Sequence, residues 1–250
     1  METWKYFDIT HSEHTICNPS SVEKIARLVA LLRLTPGARI LELACGKGEL
    51  LAHIAESYDV TAVGVDISPY CIRDARARLA DRAPQADVTF LEMDGAEYRP
   101  ERSAYFDLTV CLGASWIFDG HQGTLAALKD MTRAGGLIAV GEPFWRQEPD
   151  PTYLEMAGFT PDMFGNHHEN VSAGLELGLT LLHTIVSSED DWDVYEGLQW
   201  LASEQYALDH PDDPDVPELL SRQRQQQQEF LQYGRDTLGW AIYLFRKTPE

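Results

Sequence analysis

Two hydrophobic periods alternate along this chain, one of about 3.6 residues and one of 2, and together they predict its elements. Val22, Ile25, Ala26, Leu28, Val29 and Leu32 recur at helical spacing after a possible cap at Ser20 or Ser21, and Pro36-Gly37 closes that segment. Arg39 to Leu43 is a short apolar run of strand character. Leu50 to Ser57 predicts a helix, Asp59 to Val65 a second strand, Tyr70 to Arg82 an alanine-rich helix and Asp87 to Glu92 a third strand. Tyr105 to Leu112 reads as a fourth strand, Gly123 to Arg133 as a helix, and Leu137 to Gly141 as a fifth strand after Gly135-Gly136. Five alternations of strand and helix imply an α/β fold with a parallel sheet.

The pattern then changes. Residues 147 to 179 are rich in Pro, Gly and His and predict two or more short helices. Leu179 to Ser187 reads as a sixth strand, and Ser188 caps a helix carrying Trp192, Tyr195, Leu198, Gln199, Trp200 and Leu201. A further helix spans Val216 to Gln232, whose glutamine run at 225 to 228 needs no function, and Asp236 to Arg246 predicts a closing strand. Residues 1 to 19 show no sustained period.

Charge narrows the partners. Twenty basic against 40 acidic residues leave a formal charge of −20, which repels nucleic-acid phosphates and anionic lipid; no basic patch opposes it. No apolar run approaches the roughly 20 residues that span a bilayer, and the opening Met-Glu-Thr-Trp-Lys-Tyr lacks a signal core, so a cytoplasmic location is expected. Cys17, Cys45, Cys71 and Cys111 show no Cys-x-x-Cys spacing and read as reduced thiols.

Chemistry concentrates at residues 38 to 51, Ala-Arg-Ile-Leu-Glu-Leu-Ala-Cys-Gly-Lys-Gly-Glu-Leu-Leu, a strand, a glycine turn and a helix start. A helix N-terminus exposes unpaired N–H groups, and Gly46 and Gly48 let a ligand lie against the backbone. Glu42 at the strand's end repels a pyrophosphate and attracts an ammonium, so the turn suits a cation-bearing nucleotide. The dinucleotide pattern G-x-G-x-x-G fails because Leu51 stands where its third glycine belongs. Asp66 lies 24 residues beyond Glu42, near the spacing at which a carboxylate receives ribose hydroxyls. A helix N-cap is its competing role, although Ser68 serves as well there. Gly113 permits close backbone approach after the fourth strand, and Trp116 follows it.

Glu-Leu-Ala-Cys-Gly-Lys-Gly resembles the first motif of class I S-adenosylmethionine-dependent methyltransferases, acidic-x-Gly-x-Gly-x-Gly, with Ala44 at the first glycine. Alanine is tolerable there if its φ is negative. The resemblance implies adenine recognition by Asp94, against a plain turn role, and adds Ile67, Gly95 and Leu112 to a cofactor set of Glu42, Ala44, Gly46, Gly48, Asp66 and Gly113. Phe7-Asp-Ile-Thr-His-Ser-Glu-His, Asn18-Pro19, Cys111-Leu-Gly-Ala-Ser-Trp116, Gly141-Glu-Pro-Phe-Trp-Arg-Gln147, Trp192-Asp-Val-Tyr-Glu196 and Leu238-Gly-Trp240 are similar to bacterial small-molecule methyltransferases of the YjhP-like group. That similarity implies a Rossmann-like, doubly wound seven-stranded sheet, mostly parallel with the last strand antiparallel, under a helical cover. It further implies one domain over 1–250: a lid and helix at 1–35, a cofactor core at 36–146, insertions at 147–178 and 188–235, and a closing strand at 236–250. S-adenosylmethionine is then the cofactor, S-adenosylhomocysteine the product and a small molecule the acceptor, which this resemblance does not fix.

Methyl transfer from a sulfonium needs alignment and water exclusion more than a strong base. For a hydroxyl or acidic carbon, His11, His14 or Glu142 is the expected catalytic base. The two histidines otherwise read as a cap, a surface patch or a lid, and no metal is expected. Trp116, Trp145, Trp192 and Tyr195 are the candidate acceptor pocket, with ordinary packing as the rival for each. Such a pocket in so acidic a chain could take a cationic amine on its ring faces. A non-catalytic S-adenosylmethionine sensor is the alternative reading. A nicotinamide-dependent oxidoreductase is a weaker one, since its Tyr-x-x-x-Lys pair, Tyr243 and Lys247, would sit about 13 Å apart along a strand.

Overall fold

The computed structural model describes residues 1–248. Seven strands form one sheet in the order β3-β2-β1-β4-β5-β7-β6. They are β1 (Ala38–Leu43), β2 (Val60–Asp66), β3 (Asp87–Glu92), β4 (Phe106–Leu112), β5 (Thr132–Trp145), β6 (Leu179–Val186) and β7 (Leu238–Lys247). Strands β1 to β5 pair in parallel, whereas β7 runs antiparallel to both neighbours. Chain order reverses between β1 and β4, which opens a crevice at the strands' carboxyl ends.

Nine helices of seven residues or more accompany the sheet among the described residues: α1 (Thr3–Thr10), α2 (Val22–Leu32), α3 (Glu49–Ser57), α4 (Pro69–Arg82), α5 (His121–Met131), α6 (Pro151–Ala157), α7 (His167–Glu176), α8 (Glu189–Asp209) and α9 (Val216–Glu229). Strand alternation assigns them to two faces. Ile40, Ala62, Leu108 and Ala139 pack under Leu28 of α2, Leu51 and Ile54 of α3, and Ile72 of α4. Leu41, Leu43, Cys111 and Val140 pack under Leu125 and Leu128 of α5. Segments α6, α8 and α9 extend the first face, where Tyr153, Trp192 and Phe230 join the same core as Trp240.

Three elements depart from their expected limits. Strand β5 reaches Trp145 rather than Gly141 and includes Pro143. Beyond Gly141 its only strand neighbour is β7, so a proline without an N–H leaves no ladder bond broken on the β4 side. The helix expected through Gln232 turns π-helical at Phe230–Gly234. Helix α1 has no counterpart in the hydrophobic pattern, because only Tyr6, Ile9 and Thr10 are buried. Its stability is tertiary and polar: Glu2 caps the Trp4 and Lys5 N–H groups, Lys5 pairs with Asp213 and Asp215, and Tyr6 donates to Gln226 at 2.6 Å while accepting from Gln223. One residue of the 225–228 glutamine run is therefore structural. Of the expected closing segment to 250, Pro249 and Glu250 lie outside the described residues.

Candidate active site

The glycine turn lies at the crevice. Gly46 and Gly48 adopt φ of 53° and 71°, and a Cβ on Gly48 would stand 2.8 Å from that of Ala75. Gly48 is thus required twice, for its dihedral and for its contact with α4. Ala44 also has a positive φ, 52°, so the negative φ that would make alanine easily tolerable there is not met. The turn imposes a left-handed residue at that position, and alanine bears the strain.

Glu42 ends β1 on the α2/α3 face and lines a cavity together with Cys17, Asn18, Ala44, Gly46 and Leu112. It is 4% exposed, and its Oε2 accepts no hydrogen bond. Burial, then the neighbouring Asp66 charge, push its carboxyl well above the ordinary range. Asp66 ends the adjacent strand and reaches into the turn: Gly46 N–H donates to its Oδ2 at 2.8 Å, and Ser68 N–H to its Oδ1 at 2.8 Å. Burial raises Asp66 and those N–H donors oppose the shift. Ser68, not Asp66, caps α4 through Cys71 N–H. Asp94 caps a short 3₁₀ turn by accepting from Ala96 N–H at 2.8 Å, so its expected turn role is real. Gly95 is buried behind it and Ile67 is exposed beside Asp66. Gly113 has φ 89° and donates its N–H to Gly141 O.

A strap of residues 11–20 covers the turn. Lys47 Nζ donates to His11 O at 2.7 Å, Arg78 donates to Thr15 O, and Asn18 reaches Leu112 O. Burial pushes His11 down to about 3 and lowers His14 as well, with Lys47 adding to both shifts. Both rings are therefore neutral at neutral pH. His14 Nε2 donates to Tyr195 O at 2.8 Å, which leaves its buried Nδ1 as an unpartnered lone pair. His11 is more fully engaged, with Nε2 3.1 Å from Tyr195 OH and Nδ1 within reach of Thr10 and Phe7. Among the described residues no cluster of three His, Cys, Asp or Glu side chains could hold a metal.

The remaining candidates separate. Glu142 lies on the opposite, α5 face of the sheet from Glu42, accepting from Ser115 Oγ at 3.0 Å with His121 Nδ1 3.9 Å away. The structure does not bring it to His11 or His14, because alternation on β5 turns it with Val140 and Phe144. Trp116 is 73% exposed on a 3₁₀ turn after β4 and does not join the other aromatics. Trp145 is buried against Tyr153, Phe159 and Phe164, and its indole donates to Pro161 O. Trp192 and Tyr195 do meet, ring centroids 6.3 Å apart, and Tyr195 joins them to the strap. Tyr243 and Lys247 do not form a catalytic pair: Tyr243 binds Asn170 and His167, while Lys247 holds Lys129 O and Thr132 O.

A methyltransferase-domain profile matches residues 40–136. The uncharacterized protein YjhP of Escherichia coli K12 is 31% identical over 246 residues, 97% of this chain and 98% of that protein. The chain belongs to this family of S-adenosylmethionine-dependent methyltransferases. A methyltransferase of Geobacter sulfurreducens, solved with S-adenosylhomocysteine, superimposes with TM-score 0.91 at 31% identity, covering 98% of each chain. One from Thiobacillus denitrificans, also solved with S-adenosylhomocysteine, gives 0.90 at 31% identity over 98% of this chain and 99% of its own. The sheet is therefore the Rossmann-like methyltransferase fold, the cofactor of this methyltransferase is S-adenosylmethionine, and its product is S-adenosylhomocysteine. No helix among the described residues is long and apolar enough to cross a membrane.

Sequence reasoning missed how the strap is held: its backbone carbonyls, which accept from Lys47, leave no trace in residue type.

Proposed function

We propose that this methyltransferase transfers a methyl group to a small-molecule acceptor held between the strap and the cover formed by α6, α8 and α9. The observation that carries the reading is the buried Glu42 Oε2 without a donor, since an ammonium seated there would both pair and stabilise it. The residues present fit the methionyl nucleoside: Glu42 for its ammonium, Asp66 for the ribose hydroxyls, and Asp94 with Gly95 for the adenine. Ala44, Gly46, Gly48, Ile67, Leu112 and Gly113 form the walls. Asp66 can serve although both its oxygens already accept, because each carboxylate oxygen has a second lone pair.

When bound, the cofactor supplies an electrophilic sulfonium methyl for in-line displacement. The chain's contribution is alignment and dryness. Lys47, clamped to His11 O, and Asn18, at Leu112 O, hold the strap over the turn and exclude water. Where the acceptor must lose a proton, His14 Nδ1 takes it, because it is neutral and unpartnered. The domain is read as one unit of strap, core and cover over 1–250. Four free cysteines accord with activity in the cytoplasm.

Two substitutions test the assignment by calorimetry and turnover. Asp66→Ala is expected to weaken S-adenosylhomocysteine binding at least tenfold, and His14→Gln to leave it unchanged while slowing turnover of any proton-losing acceptor about 10- to 100-fold. Unchanged binding in the first, or unchanged turnover in the second, contradicts the role given to that residue.

A further inference from the structure

Helix α8 aligns Trp192, Glu196 and Trp200 on one face, each four residues from the next. Phe230, the first residue of the π turn, packs on both indoles, with centroids 6.1 Å from each. Tyr153, stacked on Tyr233 at 5.8 Å, closes another side. Burial and then the charges of Glu229 and Glu196 raise its phenol. Glu229 precedes Phe230 in the chain and Glu196 lies between the two indoles on α8, so both acids border the aromatic cluster.

Among the described residues neither carboxylate forms an ion pair. Glu196 accepts no hydrogen bond among the described residues, and burial followed by the Glu229 charge pushes it up to about 7. Burial raises Glu229 too. The cations of the surrounding helices are engaged elsewhere: Arg235 with Asp193 and Glu189, Arg224 with Glu204, Lys5 with Asp213 and Asp215, and Arg222 over the Tyr6 ring at 3.8 Å. Trp192 is 7% exposed, yet its indole N–H has no partner, and neither has that of Trp200. Unpartnered indole N–H groups on either side of Glu196 along α8 are the mark of a site that takes an occupant. Paired carboxylates among indole and phenyl faces recognise an organic cation, through charge and ring quadrupoles together.

We propose that Trp192, Trp200, Phe230 and Tyr153 around Glu196 and Glu229 form the acceptor subsite, and that it takes an ammonium group. The acceptor is then a small organic cation anchored at its charged end. This rests on the methyltransferase reading of the adjoining cleft, to which Tyr195 and His11 connect the subsite.

The test is indole fluorescence of the S-adenosylhomocysteine-saturated protein titrated with tetramethylammonium, with choline and with its neutral carbon isostere 3,3-dimethylbutan-1-ol. Both cations are expected to give saturable changes, and the isostere to bind at least about tenfold more weakly than choline. Glu196→Gln and Glu229→Gln are each expected to lose about tenfold in choline affinity with S-adenosylhomocysteine affinity unchanged, while the exposed control Glu204→Gln loses neither. Equal binding of choline and the isostere, cation affinity unaltered in both variants, or no saturable cation binding at tens of millimolar overturns the proposal. S-adenosylhomocysteine affinity reports separately on the cofactor reading and on the integrity of each variant. Should a variant not fold, the choline and isostere comparison on the wild-type protein still decides.

Discussion

Glu42 and Glu142 are the same residue type, each at the carboxyl end of a parallel strand, each almost fully buried and each with one oxygen lacking a partner. They face opposite sides of the sheet. Glu42 opens into a cavity walled by the glycine turn and the strap. Glu142 is enclosed by Ser115 and His121 beneath α5. Burial thus raises both carboxyls, with the Asp66 charge adding at Glu42, but only Glu42 has the access that a ligand site needs. A titratable group far from its usual range is a candidate whose value depends on what can reach it.

The largest effect that breaks this contrast is at the turn. Gly48→Ala places a Cβ 2.8 Å from Ala75 in a left-handed residue, so a loss of about 2–4 kcal/mol in stability, and of cofactor binding with it, is expected in urea denaturation and titration. Unaltered stability would show that α4 yields easily there. Next is Glu142, pushed up to about 7 by burial against an ordinary 4.5, with Ser115 opposing. The unfolded chain releases that proton first as pH rises, so Glu142 destabilises progressively from about pH 4.5 to 7 and fully above, by about 3 kcal/mol. Glu142→Gln keeps an acceptor for Ser115 and is expected to gain stability at pH 8, to match the wild type at pH 4, and to bind S-adenosylhomocysteine normally. Lost cofactor affinity would place Glu142 in the site after all. Glu196 shares the sign of that pH slope and retains it in the variant. The smallest effect is Ala44→Gly, where release from φ 52° outweighs the added freedom of the unfolded chain by about 0.5 kcal/mol. A lower urea midpoint in that variant would mean the alanine methyl packs better than its strain costs.

Much of the core was legible because its signals are local. An apolar strand, a Gly-x-Gly turn and an acid at the end of each of the first two strands impose geometry on neighbours a few residues away, so Glu42 and Gly46 line one cavity and Asp66 accepts from Gly46 N–H at the same turn. Ser68 and Ser188 cap the helices they were expected to cap. The left-handed dihedral of Ala44 was not legible, because no single side chain announces it. The cover was less legible because its contacts cross long separations: Lys5 finds Asp213, Tyr6 finds Gln226, and Phe230 finds Trp192. Trp116, Trp145 and Glu142 belong to segments at the sheet's carboxyl edge, as expected, but direction along a strand or turn assigned them to solvent, to packing and to the opposite face.

The central claim is that the turn reads the cofactor's ammonium through Glu42. The measurement is parallel calorimetric titration of wild-type protein and Glu42→Gln with S-adenosylhomocysteine and with 5′-methylthioadenosine, which keeps the nucleoside and lacks the amino acid. Wild-type protein is expected to prefer S-adenosylhomocysteine by at least about tenfold, and Glu42→Gln to lose that preference while binding methylthioadenosine as before. A preference that survives the substitution contradicts the claim.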